Sequence, residues 1–250
     1  MKSFFRWRAT LGLISSVVIG SVLGQSLPAL SLPEEQVIQK LQEVLIFTIT
    51  NNQGAFLLVS REDDSTIAYM YLSHRDAQAA LEKVKETDPE LAEDVGIVVV
   101  PLSEVYKKIK NNDNQPDSPN FSFVPIRQQV QSAVNVFQNQ ERDVPQYLGV
   151  PLFFATVQEQ GYLTYSEGDR ELIPLFFEKE QLDAIVAKFK EQKPEFSSNV
   201  EINVMSLEYL IGAFDQEEND ELRNMVIVPS SESIRFIQSL QQQQQNQSQP

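Results

Sequence analysis

The chain has 250 residues, a formal net charge of -15 at pH 7 and 42% hydrophobic residues. That length supports one large domain or two small ones, and so acidic a surface is repelled by nucleic-acid phosphates and anionic membranes. There is no cysteine, which excludes a disulfide framework, a zinc–thiolate site and a thiol nucleophile.

The chain opens with Lys2, Arg6 and Arg8, then an uncharged apolar run from Leu11 to Gly24, then "QSLPALS". This is the three-part layout of a secretory signal peptide. The run is shorter than the ~20 residues a spanning helix needs, which weighs against a membrane anchor. Residues 1–29 are expected to be cleaved after Ala29, leaving a soluble exported protein with no stable membrane insertion.

A helix is expected over Pro33 to Glu43, with Val37 and Leu41 on one face. Three strands follow: Leu45 to Thr50, Ala55 to Ser60 and Ile67 to Leu72. The turn "NNQG" joins the first two, and its Gly54 suits a positive φ. Ser73 can cap the next helix, whose apolar stripe is Ala77, Ala80, Leu81 and Val84. Pro89 blocks its continuation. A fourth strand, Val95 to Val100, and a short helix come next. "NNDNQPDSPN", residues 111–120, reads as a polar linker, and a helix is expected over Ile126 to Asn139.

The pattern then repeats. "YLSHRDAQAALEKVKETDPEL" (Tyr71 to Leu91) aligns without a gap on "FFEKEQLDAIVAKFKEQKPEF" (Phe176 to Phe196), so Lys85, Pro89 and Val99 fall on Lys190, Pro194 and Val204. Upstream, "VLIFTITNNQGAFLLVS" resembles "VPLFFATVQEQGYLTYS", with Gly54 matching Gly161. An ordered series of matches argues for duplication of a unit of about 95 residues. The second copy has strands at Leu152 to Val157, Tyr162 to Ser166 and Leu172 to Phe177. Its helix carries the stripe Leu182, Ile185, Val186 and Phe189, larger than the first copy's at every position except Val186, which falls on Leu81. A strand at Val200 to Val204 and a final helix at Ser231 to Leu240 complete it. "FVP" (Phe123 to Pro125) and "IVP" (Ile227 to Pro229) each precede the last helix of a copy.

The expected fold class is α+β, in two pseudo-symmetric halves, each a mostly antiparallel sheet with packed helices. A doubly wound parallel fold would need a helix between most strand pairs, whereas three strands come in succession here. The first unit is residues 33–140 and the second 150–240. The glutamine-rich 241–250 reads as a disordered tail, because it has nothing apolar to bury.

No catalytic set emerges, and the chain reads as a non-enzyme with no cofactor. His74 is the only histidine, beside a helix start and among polar residues. No nucleotide loop, dinucleotide fingerprint or zinc-protease motif is present. "DQEENDEL" (Asp215 to Leu222) lacks the mid-loop glycine of a calcium loop. What remains is a surplus of strands apolar on both faces. Core covered by helices on each side accounts for much of it. An open groove for an extended polypeptide is the functional alternative, and Pro174 suggests an edge strand there. If the second helix covers Ile173, Leu175 and Phe177, the opposite face is free. The candidate polypeptide-binding residues are then Phe153, Phe154, Leu172, Pro174 and Phe176.

These same stretches, "VPLFF", "QGYLTY", "GDRELIPLFFEKEQLDAIV" and "VLIFTITNNQGAFLL", together with the duplicated layout, resemble the Tic twenty-two-like family over roughly Pro33 to Leu240. Its members include a soluble subunit of the translocon at the inner envelope of chloroplasts and cyanobacterial relatives. The resemblance implies a pseudo-two-fold fold with apolar pockets and a chaperone-like role in protein translocation or outer-membrane biogenesis. It also implies unfolded exported proteins and an outer-membrane β-barrel assembly protein as partners. The bacterial style of the leader points to the periplasm, with the thylakoid lumen or plastid intermembrane space as alternatives. A structural or adaptor subunit of a membrane translocation complex is the alternative function.

Overall fold

A computed structural model of the chain describes residues 11–13, 32–63, 65–112, 119–216 and 219–247. Of the segment read as a signal peptide, Leu11–Leu13 form a short strand, β1; the remainder lies outside the described residues. Helix α1 (Glu34–Gln42) buries Val37 and Leu41, the stripe its sequence offers. The first sheet is built from β2 (Leu45–Asn51), β3 (Leu58–Ser60), β4 (Thr66–Tyr71), β5 (Val95–Pro101) and β6 (Asn120–Val124). Helices α2 (His74–Thr87), α3 (Pro89–Asp94), α4 (Leu102–Asn112) and α5 (Arg127–Asn139) connect and follow these strands.

The second sheet uses β7 (Pro151–Val157), β8 (Gly161–Glu167), β9 (Arg170–Phe176), β10 (Val200–Ser206) and β11 (Met225–Val228). Its helices are α6 (Lys179–Gln192), a 3-10 turn at Pro194–Asn199, α7 (Leu207–Gln216), α8 (Asp220–Asn224) and α9 (Ser231–Gln247). The chain is thus α+β, with two sheets among the described residues. Gly54 and Gly161 end the two hairpin turns with φ of 81° and 93°, a region that penalises any residue with a Cβ.

The strand pairings of the two sheets correspond. β2 pairs antiparallel with β5, and β7 with β10. β2 meets β4 at Phe47↔Tyr71, and β7 meets β9 at Phe153↔Phe176, positions that the sequence alignment already places on each other. Each sheet also has one parallel pair, β4 with β6 and β9 with β11, so each is mixed at that edge. Those last strands are absent from the sequence reading, which treats "FVP" and "IVP" only as approaches to a helix. Strands of four and five residues give little periodicity. Their direction follows from the long crossover, through helices, that brings the chain back beside β4 or β9.

The core is in two parts. One cluster draws on one face of each sheet and on α1, α4 and α7, including Ile46, Met70, Ile173, Leu175, Phe177, Leu102 and Phe214. The second lies on the other face of the second sheet, where Phe153, Ala155, Val157 and Phe176 pack with Leu182, Val186 and Phe189 of α6 and Ala133 and Val136 of α5. This reverses the expected assignment of faces: α6 covers Phe176, and Phe177 goes to the shared core.

The last helix of each half serves the other half. α5 packs on the second sheet. α9 returns to the first, where Phe236 meets Phe47 edge-on at 5.9 Å and the Ser233 hydroxyl donates to the Leu45 carbonyl at 3.2 Å. Helix N-termini are bonded across the same exchange. The Ser73 side chain makes no capping bond to α2; instead the His74 N–H donates to the Glu232 carboxylate of α9 at 3.0 Å. The Lys179 N–H, opening α6, donates to Gln129 Oε1 of α5 at 3.0 Å. A carboxylate at a helix start suits both the orphan N–H groups and the dipole.

Two segments read as unstructured are partly helical or extended. Residues 111–112 end α4 and Asn120 opens β6, with 113–118 outside the described residues. The glutamine tail continues α9 through Gln247. Glutamine is a good helix former, and extending a nucleated helix costs far less than starting one.

Candidate functional site

The two sheets differ in how their outer faces are filled. In the second, α6 supplies Leu182, Val186 and Phe189, with Ile185 packed against them. In the first, the aligned positions on α2 are Ala77, Leu81, Val84 and Ala80. Ala80 for Ile185 and Val84 for Phe189 remove most of the volume that closes the second site. The result is a groove of about 450 Å³ between the first sheet and α2, lined by Ile49, Leu57, Val59, Tyr69, Tyr71, Ala80, Lys83, Val84 and Thr87. That volume falls in the ordinary range of ligand pockets.

Its floor is rigid. Ile49 is buried on the central part of β2, and the Thr48 hydroxyl donates to the Tyr69 carbonyl at 3.0 Å. That bond satisfies a backbone acceptor where β4 diverges from β2 beyond Phe47↔Tyr71 and the ladder opens. Tyr69 and Tyr71 lie with their rings 6.4 Å apart. Burial, then the neighbouring Tyr69 and Asp76, raises the Tyr71 hydroxyl above its usual pKa, so it stays a neutral donor. Val59, 44% exposed, forms the outer lip. The lining is apolar with hydroxyl and ammonium groups at its rim; it offers burial and orientation, with no nucleophile and acid–base pair brought together.

The residues named from sequence lie elsewhere. Phe153, Leu172, Pro174 and Phe176 are buried, and Phe153 and Phe176 belong to the filled face under α6. Phe154 is half-buried against the shared core, its ring 5.6 Å from that of Tyr162. None of the first four is presented to a partner, which corrects the expectation of an open face there. Pro174 is not on an edge strand, since β9 lies between β7 and β11. Its missing donor is tolerated because it falls between the pairings Phe153↔Phe176 and Tyr165↔Leu172, where the ladder is open. The groove residues themselves went unnamed, although the smaller stripe of the first helix was the signal that could have located them.

A second cleft, about 600 Å³, is polar and lined by Gln36, Gln39, Lys40, Glu43, Arg170, Arg223, Asn224, Val226 and Ile227. Its most buried cation is occupied structurally: Lys40 Nζ donates to the carbonyls of Arg223 and Met225 at 2.8 and 2.7 Å, tying α1 to the start of β11. Burial, then Arg170, lowers the Lys40 pKa to about 8. Asp215, from the acidic run, accepts from the Tyr106 hydroxyl at 2.6 Å and from Lys110 at 3.2 Å, which joins α7 to α4. His74 is exposed at the start of α2. Among the described residues no helix is long and apolar enough to cross a membrane.

Comparison with known proteins agrees with this architecture. Tic22 of Anabaena, described as a protein-transport protein, has a solved structure that matches with a TM-score of 0.72 and 24% identity, covering 83% of this chain and 97% of that one. Tic22 from Plasmodium falciparum matches with a TM-score of 0.62 and 21% identity, over 82% and 97% of the respective chains. The chloroplastic protein TIC 22 of Pisum sativum is 22% identical over 203 residues, 80% of this chain and 75% of that protein. The sequence profile of the Tic22-like family matches residues 6–239, and the chain belongs to that family.

Proposed function

We propose that the protein is a chaperone-like factor of protein translocation that holds extended apolar polypeptide in the groove between the first sheet and α2. Its place of action is the periplasm, and its clients are exported chains, outer-membrane proteins among them. The observation that carries this reading is the unfilled face: the duplicated position is closed by Ile185 and Phe189, and here it is left open by Ala80 and Val84. The family supports it, since the Anabaena relative is described as a protein-transport protein. Each client Leu or Phe buried contributes ~1.5–3 kcal/mol. One or two such side chains give weak, reversible capture, as a factor that must release its client needs. The net charge of -15 keeps a loaded complex in solution.

The test copies the second half into the first. Ala80→Ile with Val84→Phe fills the groove with the side chains that close its counterpart. The expected result is a folded protein that no longer suppresses aggregation of an unfolded outer-membrane protein, while the wild type does. High salt should leave wild-type capture intact, because apolar burial drives it. A filled variant, folded by circular dichroism, that suppresses aggregation as well as wild type would overturn the groove as the site. Failure of the wild type itself would favour the adaptor function.

A further inference from the structure

The groove's outer lip is a strand with an open edge. β3 pairs with β4 through Leu58↔Ala68, Val59↔Ile67 and Ser60↔Thr66. Among the described residues no strand pairs with its other side. Leu57 N–H donates inward to the Ile49 carbonyl at 2.8 Å, and Arg61 N–H inward to the Ser65 carbonyl at 2.9 Å. Backbone groups alternate in direction along a strand, so those of Leu58 and Ser60 point outward. Side chains alternate too: Leu57 and Val59 line the groove, and Leu58 lies on the opposite face. Edges are ordinarily blunted by charge, proline or a bulge. Here Leu58 and Val59 are 43% and 44% exposed.

The chain itself shows what such an edge accepts. In the second sheet the strand in the same place, β8, carries β1 on its edge, antiparallel, with Leu11↔Tyr165, Gly12↔Thr164 and Leu13↔Leu163 in register. That segment comes from the apolar run read as an export signal. It is a short extended stretch of apolar sequence, which is the chemistry of the proposed client. On the reading that the protein holds such segments, we infer that a client docks as an added strand on the outer edge of β3, in the way β1 lies on β8. Its backbone bonds to Leu58 and Ser60, and every second side chain is directed to the groove side, beside Leu57 and Val59. Backbone pairing makes capture independent of client sequence, and the groove selects for alternating apolar residues.

The probe is a peptide of about ten residues alternating Leu and Thr, the pattern of an outer-membrane strand, titrated into the full chain. N-methylation of its amides at one parity should weaken binding about tenfold for each bond pair blocked. The same modification at the other parity should change it little. In the complex the amides of Leu58 and Ser60 should exchange with solvent more slowly, and those of β8 should not change. Equal loss at both parities, unchanged exchange at Leu58 and Ser60, or protection confined to β8 would overturn strand addition at β3 while leaving the groove as the holding site. A peptide that does not bind at all would overturn the holding function on which the inference rests. Leu58→Pro deletes one outward donor without touching an inward one. The folded variant should lose affinity for the unmodified peptide, and retention of full affinity would also overturn the inference.

Discussion

Phe176 and Tyr71 occupy aligned positions, each opposite a phenylalanine of the neighbouring strand, and their surroundings decide different roles. Phe176 is 1% exposed under α6, so Phe176→Ala should cost ~3–5 kcal/mol, measured by urea denaturation. Tyr71→Ala, at a groove wall with free volume beside it, should cost about 1 kcal/mol. Equal costs would mean that the two faces are equally filled. Two other tyrosines make stability depend on alkaline pH. Burial, then Glu221, pushes Tyr162 up to about 12, and burial, then Glu167, pushes Tyr165 up to about 12. The unfolded chain releases these protons near pH 10. Above that pH the folded state binds more protons, so stability falls as pH rises. The contribution is complete below about pH 10 and is lost through about pH 12. The melting temperature should therefore drop between pH 9.5 and 11.5, and less steeply in Tyr162→Phe; an identical slope in that variant would remove Tyr162 from the account.

Among the elements, the exchanged helices carry the firmest expectation. Glu232 of α9 accepts from the first amide of α2, and Glu178, just before α6, accepts from the Ser231 amide that opens α9. Loss of a cap costs ~0.5–2 kcal/mol, so Glu232→Ala should destabilise the chain by about that much. Glu232→Gln keeps an oxygen acceptor and should recover most of the loss, leaving only the charge–dipole part. A Gln variant as unstable as the Ala variant would show that geometry, and not acceptor chemistry, is lost. The same contact makes α2, the groove's wall, depend on α9 for its start. The Ala variant should therefore also show faster amide exchange in the first turn of α2.

At the scale of the molecule, the halves share the larger of the two core clusters. Ile46 and Met70 from the first sheet belong to the same cluster as Ile173 and Leu175 from the second, and each half's last helix lies on the other. Neither half has a complete core of its own, so unfolding should be a single cooperative transition. Denaturation followed by far-ultraviolet circular dichroism and by tyrosine absorbance should give coincident curves. Two separated transitions would show that the halves fold independently. The two halves are therefore expected to lose structure together when either outer face is damaged, and the Phe176→Ala penalty should appear in the β2–β5 ladder as well as in its own sheet.

The sequence by itself determined the order of most elements and the recurrence of their pattern, because both are local in origin. Apolar periodicity, hairpin glycines and helix-ending prolines act over a few residues, and a repeated pattern is visible wherever it occurs. It also held the volume difference between Ala80 with Val84 and Ile185 with Phe189. The tertiary structure alone decided which strand face meets which helix, since a strand apolar on both faces carries no mark of its orientation. Phe176 and Phe177 are equally apolar; only the packing of α6 and of the shared core distinguishes them. It also decided that α5 and α9 exchange halves and that β6 and β11 are strands, because such short segments take their form from the neighbours they pair with. The groove follows from these decisions: the same fold places a small helix stripe over one sheet and a large one over the other, and the first leaves a groove open.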